Sequence, residues 1–190
     1  NFAAQCSIMS TTRIEFFCFL QQDGFDPGFR CGVSCHETAN ACANHNNRPW
    51  RVIFVRDKAQ HERAALALSK GNQWASKAPV IVVMCAREAD DYTREDDPVK
   101  YYQFDSGMAT LSLLLAAVDE GLMGHPMAGY DAFKMKEALG IPDEYHVITV
   151  IALGYEGPID LLDERTRKKD ESPRTRKQLS EIIAMDRFGF

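Results

Sequence analysis

The segment GLMGHPMAGYD, residues 121–131, lies between two stretches with helical patterning and decides how the chain is organised. It carries three glycines, a proline and a histidine, more than a simple turn between helices requires. Gly124 and Gly129 permit close approach of the backbone to a ligand, and Pro126 restricts the local geometry. We therefore predict a loop that presents the N–H groups of Ala128 and Gly129 outward. The alternative is a plain helix C-cap, turn and N-cap.

The segment before this loop is predicted to be a long helix. Apolar residues recur there every three or four positions, at Phe104, Met108, Leu111, Leu115, Val118 and Leu122. The opposite face is apolar too, because it carries Leu113, Leu114, Ala116 and Ala117. A helix that is apolar on most sides is buried, so we expect this one to lie in a core or in a subunit interface.

The rest of the chain from residue 47 onward predicts helices alternating with buried strands. Strand patterns occur in RVIFV (51–55), APVIVVMC (78–85) and HVITVIALG (146–154). Asp57 is predicted to cap a helix that runs to Gly71, and Asp131 another that ends at Gly140 and Pro142. The acidic stretch READDYTREDDP (87–98) is predicted to be a solvated loop. This order indicates a layered α/β or α+β domain with ligands at the ends of elements.

Composition limits the class of protein. With 190 residues, of which 45% are hydrophobic and 26% charged, we expect a single domain over residues 1–190. The net charge of -5 argues against nucleic acid as a partner. The longest apolar run is interrupted by Thr110 and Ser112, which favours a buried helix over a membrane span. No signal-peptide layout occurs at the N-terminus, so a soluble, cytoplasmic protein is expected.

The cysteines are concentrated near the N-terminus and raise the question of a metal site. Cys31, Cys35, Cys42 and His45 could together bind zinc, but their spacing matches no usual zinc-binding pattern. Scattered reduced thiols are the favoured interpretation, and no metal site is expected.

Four stretches together give the chain a family resemblance. They are NNRPWRVIFV (46–55), GNQWASKAPVIVV (71–83), the 121–131 segment and PRTRKQLSEI (173–182). In this order and spacing they resemble the nitroreductase family of flavoproteins, from Asn46 to the C-terminus. The resemblance implies an α+β three-layer sandwich, a central mixed sheet flanked by helices, and a homodimer. It also implies that residues 158–190 form a C-terminal arm on the partner subunit, whereas residues 1–42 are atypical.

The resemblance also implies an FMN site and names its residues. These are Thr11, Arg13, Asn46, Asn72, Pro126, Met127, Ala128, Gly129, Arg174 and Arg176. In the family the N–H groups at positions 128 and 129 face flavin N5, the two asparagines lie beside the ring and its pyrimidine edge, and the arginine pair binds the phosphate. Met9 stands where the family usually has its first N-terminal arginine. No essential catalytic side chain is expected, since solvent can supply the proton, and His125 is interpreted as a bystander.

The implied activity is reduction of nitroaromatics, quinones or similar acceptors by NADH or NADPH through FMN, with ping-pong kinetics at one shared site. Within the family, an enone reductase, a reductive dehalogenase and the oxygen-dependent flavin destructase are alternatives. A flavin-binding protein of this fold with weak or no catalysis is another alternative, because Met9 removes a phosphate contact. A regulatory protein that binds zinc through the cysteine cluster is the last.

Overall fold

A computed structural model of the chain describes residues 41, 43–157, 164, 167–168, 171, 173 and 175–189. The chain divides into two compact units, the first ending at Tyr155 and the second comprising Glu156–Phe190. The described elements of the first unit are β1 (Trp50–Val55), α1 (Lys58–Leu66), β2 (Val80–Ala86), α2 (Tyr101–Asp119), β3 (Met123–Met127), α3 (Ala132–Leu139) and β4 (His146–Gly154). Short 3₁₀ helices cover Asn44–Asn46, Lys70–Lys77 and Glu88–Asp90. The strands predicted from the apolar runs are therefore confirmed.

The four strands form one sheet in the order β1-β2-β4-β3. All three pairings among the described residues are antiparallel, with Ile53 opposite Val83 and Val83 opposite Val150. The predicted mixed sheet is thus wrong for this part of the chain. The apolar runs correctly indicated strands covered on both faces, but a covered sheet can be parallel or antiparallel, so the pattern carries no information on direction.

Helices cover both faces of this sheet. On one face, Ile81 and Val83 of β2 belong to a core cluster that includes Ala64 of α1 and Met135 of α3. On the other face, a second cluster includes Leu113 of α2. Every residue of β2 is buried, as expected of a strand between two helical layers. The α+β class and the three layers predicted from the sequence are confirmed.

The orientation of α2 departs from the expectation of burial on most sides. Leu113 and Ala117 are only 1% exposed and face the sheet. Four other apolar side chains, here called the apolar stripe, are each more than half exposed: Phe104, Leu111, Leu115 and Val118. The prediction that this face of α2 lies in the core of the single chain is therefore wrong. The alternative, that it lies in a subunit interface, stays a prediction.

The end of α1 also differs from the prediction. Asp57 caps the helix as expected, since its side chain accepts a hydrogen bond from the Gln60 N–H at 3.0 Å. The helix ends at Leu66 rather than running to Gly71. Contacts with a distant part of the chain end the helix early. The Ala67 carbonyl accepts a hydrogen bond from the Asp131 N–H at 2.7 Å, and Leu68 forms an isolated β-bridge with Tyr130.

The helix α3 begins and ends where the sequence predicts. The Asp131 side chain accepts hydrogen bonds from the N–H groups of Phe133 and Lys134, both at 3.1 Å, and Gly140 ends the helix in the left-handed conformation. We expect Asp131→Ala to lower the free energy of unfolding by about 1 kcal/mol, because two N–H groups lose their cap. Urea denaturation measures this change. Asp143→Ala is the control, since Asp143 contributes only its carbonyl to Lys136, and an equal loss in both variants would contradict the capping role.

The described residues of the second unit include a short 3₁₀ helix, Leu179–Glu181. Several large apolar side chains there are more than half exposed: Leu179, Ile182, Ile183, Met185 and Phe188. The predicted packing of residues 158–190 on a partner subunit stays a prediction. Among the described residues, no helix has the length and apolar character needed to cross a membrane.

Candidate functional site

The 121–131 segment is less of a loop than the sequence predicts. Residues Met123–Met127 form the strand β3, which pairs with β4. Pro126 is tolerated there because β3 is an edge strand of the described sheet. A proline has no N–H to donate, and on the unpaired side of an edge strand no hydrogen bond is lost. A Cβ atom on Gly124 would collide with Leu114 of α2, so this glycine makes room for a helix rather than for a ligand. Only residues 128–131 are left as a loop.

Hydrogen bonds fix backbone carbonyl groups in this loop and at the end of β3. The Gly129 oxygen accepts hydrogen bonds from the Ser69 N–H and from Asn72 Nδ2, each at 3.0 Å. The Met127 oxygen accepts from the Thr149 hydroxyl at 3.0 Å. The side chain of Tyr130 is fixed as well, because its hydroxyl donates to the Val147 carbonyl at 2.8 Å. The loop backbone is therefore anchored on two sides, by the Lys70–Lys77 region and by β4.

The N–H groups of Ala128 and Gly129 are left without a partner within the described part of the chain. Ala128 is exposed and Gly129 half-buried. Adjacent N–H donors with anchored carbonyls form a ready-made site for an electron-rich acceptor atom, because no rearrangement is needed when the ligand arrives. The contact of these groups with a flavin stays a prediction.

Gly129 is needed because its neighbours crowd it. A Cβ atom at this position would lie 2.5 Å from Asn72 Nδ2 and 2.6 Å from Ser69 Oγ. Asn72 is half-buried, and its Oδ1 atom accepts no hydrogen bond among the described residues, so this oxygen can bind a ligand donor. Nearby, the His125 ring meets the Trp74 ring edge-on, with 5.0 Å between centroids. His125 is exposed and contacts no described carboxylate.

Asn46 lies in a turn with an unusual backbone. His45, Asn46 and Arg48 have φ angles of 50°, 59° and 52°, in the left-handed region that side-chain-bearing residues seldom adopt. Asn46 is exposed, and its N–H donates to the Ala43 carbonyl at 3.0 Å. Trp50, which follows the turn, is only 6% exposed and packs against Met84 and Ala109. Trp50 therefore serves to pack the core beside the turn.

The remaining predicted site residues are placed only in part. Arg176, in the second unit, is exposed and donates to the neighbouring Thr175 carbonyl at 3.1 Å. Six predicted binding or metal-ligating residues lie outside the described residues, namely Thr11, Arg13, Arg174 and the cysteines at positions 31, 35 and 42. Among the residues that are described, no cluster of three or more His, Cys, Asp or Glu side chains could hold a metal ion. Burial raises the pKa of the Cys85 thiol to about 11, so this thiol is unreactive near neutral pH.

An ionic network beside the Asn46 turn was not predicted from the sequence. Asp90 binds Arg87 through its Oδ1 atom, with 2.8 Å to Nε, and Arg51 through its Oδ2 atom at 3.3 Å. The hydrogen bond that Arg87 donates to the Asp90 carboxylate raises the pKa of Arg87. Both guanidinium groups lie over the Tyr145 ring, 5.4 and 5.9 Å from its centroid. The acidic stretch 87–98 is thus attached to the starts of β1 and β4 and to the end of β2.

Comparison with known proteins decides the family. The profile of the nitroreductase family matches residues 33–155. The chain belongs to this family. A solved structure of an oxidoreductase containing FMN is 26% identical, with a TM-score of 0.71 over 82% of this chain and 80% of that one. The nitroreductase family protein from Streptococcus pneumoniae shares the fold, with a TM-score of 0.64 at 19% identity over 97% of this chain and 99% of that one.

Two sequence relatives of this nitroreductase family member carry different descriptions. An uncharacterized 15.4 kDa protein of Mycolicibacterium smegmatis is 34% identical over 122 residues, which cover 64% of this chain and 80% of that protein. An NADH dehydrogenase of Thermus thermophilus is 25% identical over 139 residues, which cover 58% of this chain and 67% of that protein. Together with the FMN-containing structure, the match to the NADH dehydrogenase supports an oxidoreductase.

Proposed function

We propose that the protein is an FMN-dependent oxidoreductase that takes electrons from NADH or NADPH and reduces nitroaromatics, quinones or similar acceptors. The observation that carries this proposal is the pair of free N–H groups at Ala128 and Gly129 in an anchored loop. The 26% identity with an oxidoreductase containing FMN supports the choice of cofactor. The NADH dehydrogenase of Thermus thermophilus supports a nicotinamide donor.

The described residues fit a flavin. An isoalloxazine ring offers acceptor atoms at N5 and its carbonyl oxygens and one donor on its pyrimidine edge. The free N–H groups of Ala128 and Gly129 match the acceptors, and the free Oδ1 atom of Asn72 matches the donor. Positions 128 and 129 carry nothing larger than a methyl group, so a flat ring can approach the backbone closely. Thr11, Arg13, Arg174 and Arg176 are proposed to hold the ribityl chain and the phosphate.

The bound FMN would supply reversible uptake of two electrons, which no side chain provides. The contribution of the chain is binding and electrostatics. The N–H dipoles at positions 128 and 129 favour negative charge nearby. The hydrogen bonds at the Met127 and Gly129 carbonyls anchor the backbone on both sides of these two N–H groups. No described acid or base is needed beside them, since solvent supplies the proton. One shared site for donor and acceptor gives ping-pong kinetics.

We also propose that the active protein is a homodimer. The apolar stripe of α2 exposes four large apolar side chains on one helix face, and contiguous exposed apolar patches mark interaction sites. The exposed apolar residues of the second unit, Leu179 to Phe188, are proposed to pack on the partner subunit.

An absorption spectrum tests the function. Purified protein is mixed with excess FMN, unbound FMN is removed, and NADH or NADPH is added without oxygen. We expect flavin bands near one FMN per chain that bleach on addition of the nicotinamide. We also expect riboflavin, which lacks the phosphate, to bind more weakly than FMN. Protein that stays colourless with FMN would refute the proposal, whereas bound flavin that does not bleach would refute only the catalytic part.

A further inference from the structure

The turn that carries Asn46 is held in place from outside. Its left-handed residues are His45, Asn46 and Arg48. Asparagine tolerates this region better than most residues, but three such residues within four positions are unfavourable together, so contacts with neighbouring groups stabilise the turn. The one backbone hydrogen bond described within the turn joins the Asn46 N–H to the Ala43 carbonyl. From outside the turn, Arg51 Nη1 donates a hydrogen bond to the Arg48 carbonyl at 3.3 Å, but neither bond holds the side chain of Asn47.

Two adjacent residues of the acidic stretch provide further contacts from outside the turn. Asp91 Oδ1 accepts a hydrogen bond from Asn47 Nδ2 at 3.3 Å. The ring of Tyr92 contacts the ring of His45 in a tilted arrangement, with 4.6 Å between centroids and 38° between the ring planes. Asn47 and His45 flank Asn46 in the sequence, so these contacts hold the residue on each side of the predicted flavin ligand.

Asp91 itself is rigidly placed. Its Oδ1 atom also accepts from the Tyr92 N–H at 2.8 Å, and its own N–H donates to the Glu88 carbonyl at 3.1 Å. The preceding residue, Asp90, is bound to Arg51 and Arg87 at the ends of two strands. The sheet therefore fixes Asp90, the short 3₁₀ helix fixes Asp91, and Asp91 fixes the Asn46 turn.

The second carboxylate oxygen of Asp91 adds no contact that holds the side chain. Its Oδ2 atom is buried and has no hydrogen-bond partner among the described residues. The position of Asp91 therefore depends on the hydrogen bonds of its Oδ1 atom and its N–H group. Asp96, five residues later, shows the ordinary alternative, since it is exposed and both of its oxygens bind Arg94.

We infer that Asp91 is a positioning residue, which sets the conformation of the Asn46 turn through Asn47 and so places Asn46 for the cofactor. This inference rests on the proposed FMN function. It assigns no contact between Asp91 and FMN. It predicts instead that Asp91 matters for FMN affinity only as long as Asn46 is present.

A double-mutant cycle tests the inference, with FMN affinity measured by fluorescence titration. We expect Asp91→Ala and Asn47→Ala each to weaken binding about tenfold, since a hydrogen bond to a charged group is lost. We expect Asp91→Asn, which keeps an acceptor oxygen, to bind almost as tightly as the parent. In the Asn46→Ala background, Asp91→Ala should cause no further loss. A purely structural role would weaken binding equally in both backgrounds and would overturn the inference.

The matched control is Asp96→Ala, which removes an acidic side chain from the same stretch without touching the turn. If Asp91→Ala and Asp96→Ala bind FMN equally well, the inference is wrong while the proposed function stands. If the parent protein binds no FMN, both fail. Should Asp91→Ala not fold, Asn47→Ala decides, because Asn47 is exposed and its variant removes the same hydrogen bond. Unchanged affinity in Asn47→Ala would then overturn the inference.

Discussion

Replacing Gly129 with alanine is expected to weaken FMN binding severely. The new Cβ atom would lie 2.5 Å from Asn72 Nδ2 and 2.6 Å from Ser69 Oγ, too close for any real contact. Either those side chains move or the loop does. Moving Asn72 breaks its hydrogen bond to the Gly129 carbonyl, and moving the loop shifts the N–H groups of Ala128 and Gly129. Overpacking of this kind costs about 1 to 3 kcal/mol, which corresponds to roughly 5- to 150-fold in affinity.

Fluorescence titration with FMN measures this effect, and Gly71→Ala is the matched control. Gly71 belongs to the same 3₁₀ helix as Asn72, but a Cβ atom there would meet nothing within 4 Å. The control variant should therefore bind FMN like the parent. Equal affinity of Gly129→Ala and Gly71→Ala would show that the loop tolerates the methyl group and that its exact position is unimportant for the cofactor.

The strands and the helix caps could be predicted because their signals are local. The β2 run is apolar and β-branched over its whole length, which fits a strand buried on both faces whatever its partners. Asp131 precedes a helical pattern and is followed by a glycine at the correct distance, and the side chain caps α3 as expected. Such signals depend on a few neighbouring residues, and the sequence contains them all.

The strand β3 could not be predicted because its sequence contains two residues typical of turns. Gly124 is there for the close approach of Leu114, a residue ten positions earlier on another element. Pro126 is acceptable because it lies on a strand that is paired on one side in the described sheet. Both reasons depend on contacts with other elements, whereas the local sequence of Met123–Met127 is typical of a loop.

The orientation of α2 was ambiguous for a different reason. The helix is apolar on two faces, and periodicity alone does not tell which face meets the sheet. The structure places Ala109, Leu113 and Ala117 against it, where small residues let the helix backbone approach closely. The link between Asn47 and Asp91 was equally invisible, since it joins residues 44 positions apart.

Leu115→Lys, a substitution in the apolar stripe of α2, is expected to convert the proposed homodimer to monomers. Leu115 is 63% exposed in the single chain and lies at the middle of the stripe. Burial of a leucine contributes about 1.5 to 3 kcal/mol, and a two-fold interface contains two copies. Their loss would raise the dissociation constant of the dimer by roughly 10² to 10⁴. Sedimentation equilibrium measures that constant directly.

The same substitution elsewhere provides the control for this experiment. Leu66 of α1 is 78% exposed and lies outside the stripe, so Leu66→Lys should leave the dimer intact. Neither variant should lower the free energy of unfolding of a monomer much, because both side chains are already in contact with water. A monomeric parent protein, or equal dissociation constants for the two variants, would contradict an interface on α2.

The dependence of FMN binding on protein concentration tests whether the interface is needed for the proposed function. If the cofactor site needs residues of both subunits, Leu115→Lys should lose FMN on dilution and recover it at high protein concentration, because dimer formation and binding are linked. Leu66→Lys should bind FMN independently of protein concentration above its dimer dissociation constant. Affinity in Leu115→Lys that does not change with protein concentration would mean that one chain holds the cofactor alone, and that the apolar stripe serves assembly but not catalysis.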